Sequence, residues 1–232
     1  MMFYGIDRYY LLLVVPAILF SMIAQAKVNS AFSRYSGVRT RRGITGADAA
    51  RAVLQINGVS DVRIERVSGK LTDHYDPRTN VIRLSESVYD ADSIAAVGVA
   101  AHEAGHAVQY AYGYFPIRVR SAIVPVTQFG SSLSMPLIFA GLIFNAAALI
   151  KIGLLFFFFA VVFQLVTLPV EFNASNRAID AIAATRILTE DELPGAQKTL
   201  SAAALTYVAA LLVALAQFLR LLLLFGGRRR ND

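Results

Sequence analysis

The chain has 232 residues, is 56 % hydrophobic and 16 % charged, and has a mean hydropathy of +0.53, a balance that excludes intrinsic disorder and a wholly soluble protein. It contains no cysteine, which excludes a disulfide framework, a thiol nucleophile and any Cys-ligated metal, so a metal must be held by His, Asp or Glu. The formal net charge of +6 raises nucleic acid as a partner, but Lys and Arg also gather in the cytoplasmic loops of membrane proteins, and the distribution below favours that reading, with no nucleic-acid partner.

Four intervals lack Asp, Glu, Lys and Arg altogether: residues 9–26, 121–150, 152–170 and 199–219. A helix needs about 20 apolar residues to cross a hydrocarbon core of about 30 Å, so each is long enough or nearly so. Residues 9–26 open on Tyr9 and Tyr10, the position of an interfacial belt, and end at Lys27. The run is longer than a signal-peptide core and is preceded by Asp7 as well as Arg8, so it reads as a retained anchor, transmembrane helix 1.

Residues 27–120 form the main hydrophilic block, with 22 of the chain's 38 charged residues. Thr45 is placed to cap a helix over GADAARAVLQIN, closed by Gly58. Residues 62–67 alternate as a strand, and residues 70–75 and 81–84 flank the turn-rich Asp76-Pro77-Arg78-Thr79-Asn80, which predicts a hairpin. Asp90 or Asp92 then caps a helix from about 93 to 112, stopped by Gly113.

That helix carries His102-Glu103-Ala104-Gly105-His106. Residues four apart lie on one helix face, so both imidazoles can reach a single Zn²⁺, while Glu103 lies off that seam and belongs beside a water on the metal as the general base. Two of the chain's three histidines occupy the motif, and Ala100, Ala101, Ala104, Gly105 and Ala107 around it allow other backbone to approach closely. The remaining histidine, His74, sits on the predicted hairpin, where it is a candidate to stabilise an oxyanion; its strand could equally pair with an extended substrate.

Residues 121–170 read as an approach segment, marked by Pro125 and Pro136, followed by a transmembrane hairpin that turns near 148–153 around Lys151. Residues 171–198 form a second hydrophilic stretch headed by a helix over 171–188. Residues 199–225 are a fourth helix, transmembrane or interfacial, interrupted by Arg220, and residues 226–232 are a basic tail with Arg228–Arg230.

A catalytic zinc of this type takes a third protein ligand and keeps one open position. His74, Asp180, Glu171 and nearby acids are the candidates. Two crossings separate His106 from Glu171, an even number, which returns Glu171 to the side of the zinc helix at the membrane boundary. Parity therefore favours Glu171, with Ser175 one turn later on the same face. Of the Lys and Arg near the spans, ten lie on the side of the zinc block (Lys27, Arg34, Arg39, Arg41, Arg42, Arg118, Arg120, Arg177, Arg186 and Lys198) against five on the other (Arg8, Lys151 and Arg228–Arg230), which puts the block in the cytoplasm.

HEAGH after LTDHYDP…VIRLSESVYDADSIAAVGVAAHE, with PVEFNASNRA following an apolar hairpin, resembles the YugP-like family of bacterial membrane zinc metallopeptidases over essentially the whole chain. More distantly it is similar to HtpX-like gluzincins, whose third ligand is the Glu of an E-x-x-A-D segment; here that segment is Glu171-Phe172-Asn173-Ala174-Ser175, with Ser175 in place of the acid that orients a zinc histidine. The resemblance implies a multi-pass inner (cytoplasmic) membrane protein with zinc-dependent peptide hydrolysis, and leaves its substrates undefined; one Zn²⁺ is expected, and the place of the site near the lipid bilayer points to peptide or membrane-protein substrates. The expected fold is a mostly α membrane protein: about four transmembrane helices and a small α+β, zincin-like catalytic domain built around the HExxH helix. The expected function is zinc-dependent endopeptidase; the alternatives are a non-catalytic membrane scaffold braced by a structural zinc and, more weakly, a transporter, against which the apolar runs offer no acidic or histidine relay.

Overall fold

The computed structural model describes residues 6–69 and 72–226. Lys70 and Leu71 of the expected hairpin, and Arg228–Arg230 of the basic tail, lie outside the described residues. The chain is mostly helical: a π-helical turn Tyr10–Val14 runs into α1 (Val15–Ser36), followed by α2 (Gly46–Ile56), β1 (Arg63–Val67), β2 (His74–Asp76), β3 (Val81–Ser85), α3 (Glu86–Tyr89), α4 (Ile94–Ala111), α5 (Phe115–Ile143), α6 (Ala147–Thr185) and α7 (Leu193–Phe225). Among the described residues four helices, Tyr10–Ser36, Phe115–Ile143, Ala147–Thr185 and Leu193–Phe225, are long and apolar enough to cross a membrane. The fold is that of a mostly α membrane protein with a small α+β portion.

The described residues divide into two compact units, those within 6–24, 119–168 and 206–226 in one and those within 25–69, 72–118 and 169–205 in the other. In the first, Ile138, Ile150, Leu154 and Leu221 are buried together, as are Val14, Ala17 and Ala216. α5 is a continuous helix through Pro125 and Pro136 rather than an approach segment plus a crossing. The turn after it falls at residues 144–146, earlier than expected, because Asn145 takes a left-handed conformation (φ 49°) that asparagine tolerates; Lys151 consequently lies inside α6. α6 also continues through Pro169, so Glu171 is interior to one 39-residue helix instead of heading a new one. It ends at Thr185, where Arg186 turns left-handed (φ 53°).

Arg220, the interruption in the last apolar run, is 7 % exposed and paired with Asp7: its Nη2 lies 2.6 Å and its Nε 2.8 Å from Asp7 Oδ2, and its guanidinium lies 5.1 Å from the centre of the Tyr10 ring. Asp7 Oδ1 meanwhile accepts the backbone N–H groups of Tyr9 and Tyr10 at 2.9 Å, satisfying free donors at the helix start. The start of the first apolar helix and the far end of the last are thus joined at one level.

The second unit is built on a three-stranded sheet, order β1-β3-β2, with β1 parallel and β2 antiparallel to the central β3. β2 and β3 form the expected hairpin. Thr45 caps α2 in a reciprocal box with Asp48. α4 is capped by Ser93, whose hydroxyl accepts the Ala96 N–H, and not by Asp90 or Asp92; those two acids pair with Arg66 and Arg39. The core joins Ala49, Ala50, Val53 and Leu54 of α2, Ile82 and Leu84 of β3, the Ala-rich face of α4, and Ala178, Ala181 and Ile182 of α6. Small side chains bring α4 and α6 very close. A Cβ on Gly105 would lie 2.5 Å from the Ala174 carbonyl oxygen.

Candidate metal centre

Because His102 and His106 are one turn apart on α4, their rings stack edge to face with centroids 4.7 Å apart. α6 brings Glu171 against both: Glu171 Oε2 lies 3.2 Å from His102 Nε2 and 3.5 Å from His106 Nε2. The three donor atoms lie within 4.8 Å of one another, with Glu171 2 % and His106 9 % exposed. Two imidazole nitrogens and one carboxylate oxygen are a donor set suited to Zn²⁺. In a tetrahedral site with bonds of 2.0–2.1 Å, donors sit about 3.3 Å apart, which the two His–Glu separations bracket. The residues therefore fit a zinc ion. Among the described residues this is the one group of three or more His, Cys, Asp or Glu side chains so arranged.

The electrostatics agree. Burial alone would lower the His106 pKa, but its hydrogen bond with Glu171, reinforced by the charges of Glu103 and Glu171, holds it above the ordinary histidine value. Such a ring is stabilised as a cation, and a divalent metal can take the proton's place.

Glu103 stands outside the donor set, as its off-seam position predicts. The backbone N–H of Tyr75, on β2, donates to Glu103 Oε2 at 3.0 Å. The sheet edge thereby reaches the HExxH helix and fixes one carboxylate oxygen. His74, one residue earlier, is exposed, and its Nδ1 lies 2.8 Å from the Thr72 carbonyl oxygen. A carbonyl only accepts, so Nδ1 carries the proton and Nε2 of the neutral ring is bare; His74 could donate to an oxyanion only as imidazolium. Asp180 is exposed and is not part of the donor set.

Ser175, one turn beyond Glu171, places its hydroxyl 3.1 Å from His102 Nδ1. The corresponding partner of His106 is Gln109, whose Oε1 lies 3.0 Å from His106 Nδ1. The sequence reading passed over Gln109, although its i+3 spacing from His106 places it on the same helix face. Two tyrosines that follow the HExxH motif are engaged within this unit: Tyr110 packs its ring 5.5 Å from that of Tyr75, and Tyr112 donates its hydroxyl to the Asn57 carbonyl at 3.0 Å. Burial first, then the neighbouring Tyr110, pushes the Tyr75 phenol up to about 12, so it stays neutral, and it donates to Asn80 at 2.6 Å.

An HExxH helix that meets a glutamate from a second helix is the site pattern of zinc metallopeptidases, here in a chain with four helices apolar enough to cross a membrane among its described residues. The comparisons give the family. The family model described as "Putative neutral zinc metallopeptidase" matches residues 10–226, and the chain belongs to that family. It is 47 % identical over 223 residues to "Putative membrane protease YugP" of Bacillus subtilis (strain 168), covering 96 % of this chain and 99 % of that protein. No solved structure matches.

Proposed function

We propose that the protein is an integral membrane zinc endopeptidase in which His102, His106 and Glu171 hold one Zn²⁺ and Glu103 is the general base. The observation that carries this reading is the convergence of the two His Nε2 atoms on Glu171 Oε2, with Glu103 beside them and outside the donor set. Zinc held by those three side chains would supply Lewis acidity, polarising the scissile carbonyl and acidifying a water. The chain's own residues do the rest. Glu103 takes the proton of the attacking water and later delivers one to the leaving amine. Because the Tyr75 amide engages Oε2, the transfers fall to Oε1. His74 is retained as a candidate for oxyanion stabilisation in its imidazolium form, and Ser175 as the partner that orients His102.

The substrate is a peptide or a segment of a membrane protein. The location is the inner (cytoplasmic) membrane, with the zinc-binding unit on the cytoplasmic side, supported by the ten-to-five excess of Lys and Arg. The Asp7–Arg220 pair supports a full crossing by α7, since the end of the last apolar run meets the start of the first. A bilayer core of about 30 Å is matched by about 20 residues of helix, close to the length of each of the runs 9–26 and 199–219.

The test is zinc content and hydrolysis of an unstructured protein such as casein, measured side by side on purified full-length wild type, Glu103→Gln and Glu171→Ala. Glu103→Gln is expected to keep zinc and lose about 10²–10⁴-fold in turnover, and Glu171→Ala to lose zinc. Unchanged turnover in Glu103→Gln overturns the role given to Glu103; zinc retained in a fully closed shell without hydrolysis points to a scaffold.

A further inference from the structure

The hydrogen bonds behind His106 form a chain whose direction can be read from its far end. Arg177 on α6 can only donate, and its Nε lies 2.8 Å from Asn173 Oδ1, so that atom is the carbonyl oxygen of the Asn173 amide. Gln109 Nε2 lies 3.0 Å from the same oxygen and 2.7 Å from the backbone carbonyl of Val170. An atom held between two acceptors must be the amide nitrogen. The other end of the Gln109 amide, Oε1, therefore faces His106, and at 3.0 Å it accepts a proton from Nδ1. That leaves His106 Nε2, turned to Glu171, as the nitrogen available to an ion. Each link in the chain is fixed by the one before it, starting from a group with a single hydrogen-bonding role.

We propose that Gln109 is a positioning residue of the metal centre: through an amide whose orientation is set by Asn173 and Arg177, it fixes the tautomer and the ring angle of His106 so that Nε2 is presented to the ion. The inference rests on the reading of His106 as a ligand. Gln109 is fully buried, so water does not substitute for it, and both of its donor hydrogens are committed on α6. A pivot of the ring would break a bond to a group that cannot follow. Arg177 is itself steadied, its guanidinium lying 5.7 Å from the centre of the Tyr112 ring. His102 has no such device, because the Ser175 hydroxyl both donates and accepts and suits either tautomer. The two zinc histidines are thus held unequally, His106 by a polarised chain and His102 by an adaptable hydroxyl. Position 173 contributes only an acceptor to this chain, so an aspartate there preserves it and a leucine does not.

The experiment uses purified full-length protein in detergent at one fixed pH. Zinc affinity is measured by competition with a chromophoric chelator, and the visible spectrum of the Co²⁺-loaded protein is recorded for wild type, His106→Ala, Gln109→Leu, Asn173→Leu and Asn173→Asp. Loss of a buried partner of a metal histidine typically weakens metal binding 10- to 100-fold, and that loss, with an altered cobalt spectrum, is expected for Gln109→Leu and Asn173→Leu. Asn173→Asp, the conservative variant, is expected to bind zinc within about threefold of wild type, since its carboxylate still accepts from both neighbours. The two Asn173 variants keep the test decisive if Gln109→Leu fails to fold. Wild-type affinity and an unchanged cobalt spectrum in Gln109→Leu, or equal losses in Asn173→Asp and Asn173→Leu, overturn the proposal while leaving the metal site standing. A wild type that binds no zinc, or an affinity unaffected by His106→Ala, overturns the metal reading and the proposal with it.

Discussion

The two helices that build the site approach closely at Gly105, and adding one methyl group there tests whether their separation sets metal affinity. A Cβ at this position would lie 2.5 Å from the Ala174 carbonyl oxygen, 3.2 Å from its carbonyl carbon and 3.3 Å from its Cα. These are backbone atoms of α6, so no side-chain rotation relieves the clash, and α4 must move away by somewhat less than 1 Å. Overpacking of this kind costs about 1–3 kcal/mol, against which alanine recovers up to about 1 kcal/mol of helix propensity. If the metal-free Gly105→Ala protein relaxes by letting the helices part, zinc must draw them together again, and the strain reappears as lost affinity. At 1.4 kcal/mol per factor of ten, 1–3 kcal/mol corresponds to roughly five- to 150-fold weaker zinc. Gly98, two turns earlier on α4, is the internal control: a Cβ there meets nothing closer than 3.7 Å, in ordinary contact with Ala196, so Gly98→Ala should leave affinity unchanged and raise stability by up to about 1 kcal/mol. Chelator competition gives the affinities and thermal denaturation in detergent gives the stabilities. Wild-type zinc affinity in Gly105→Ala would refute the idea that contact between α4 and α6 holds the donors together.

Replacing Asp7 with Asn removes the carboxylate that pairs with the buried Arg220 guanidinium and is expected to destabilise the protein by about 3 kcal/mol, more than the Asp7→Leu/Arg220→Leu double variant does, as thermal denaturation of the two will show. Zinc binding should weaken as pH falls: His106 has a raised pKa and must lose its proton to bind the ion, so affinity should begin to drop above pH 6.5, the ordinary histidine value, and fall about tenfold per pH unit well below the raised pKa. A zinc affinity that is flat from pH 8 to pH 5.5 would contradict this. Treatment with a strong chelator should remove zinc while leaving helicity by circular dichroism within about 10 % of the holo value, and added zinc should restore hydrolysis, because the apolar core of this unit does not depend on the metal.

The spans and the zinc motif were legible for simple physical reasons. Uncharged runs of about 20 residues have few other uses, and two histidines four apart on a helix share a face whatever packs around them. Glu171 was reached by counting crossings, which requires only that the apolar hairpin return to its starting side. Where local signals competed, the sequence misled. Three polar residues, Asp90, Asp92 and Ser93, all suit a helix start; arginines 24 and 53 residues away draw off the two acids and leave Ser93 as the cap. Pro169 reads as a boundary, yet α6 runs through it. The Asp7–Arg220 pair joins residues 213 apart, a separation at which no local pattern operates, so Arg220 on its own resembled a defect in the last span. Gln109 carried the right spacing but became meaningful only when α6 supplied acceptors to orient its amide.

α6 holds four residues of the site region within seven positions: Glu171, Asn173, Ser175 and Arg177. Residues 171 and 175 are one turn apart and share a face, as are 173 and 177. The first pair contacts His102, with Glu171 also facing His106; the second contacts Gln109 and, through it, His106. One helix thus serves the metal donors and the supports of both histidines along two adjacent seams, and any rotation of it about its own axis would disturb both together. On the proposed reading, a chain with three histidines and no cysteine would hold its metal from two helices alone: α4 would supply two donors, and α6 the third together with the groups that aim the other two. It also requires that the helix be uninterrupted here, because a break at Glu171 would free the register on which both seams depend.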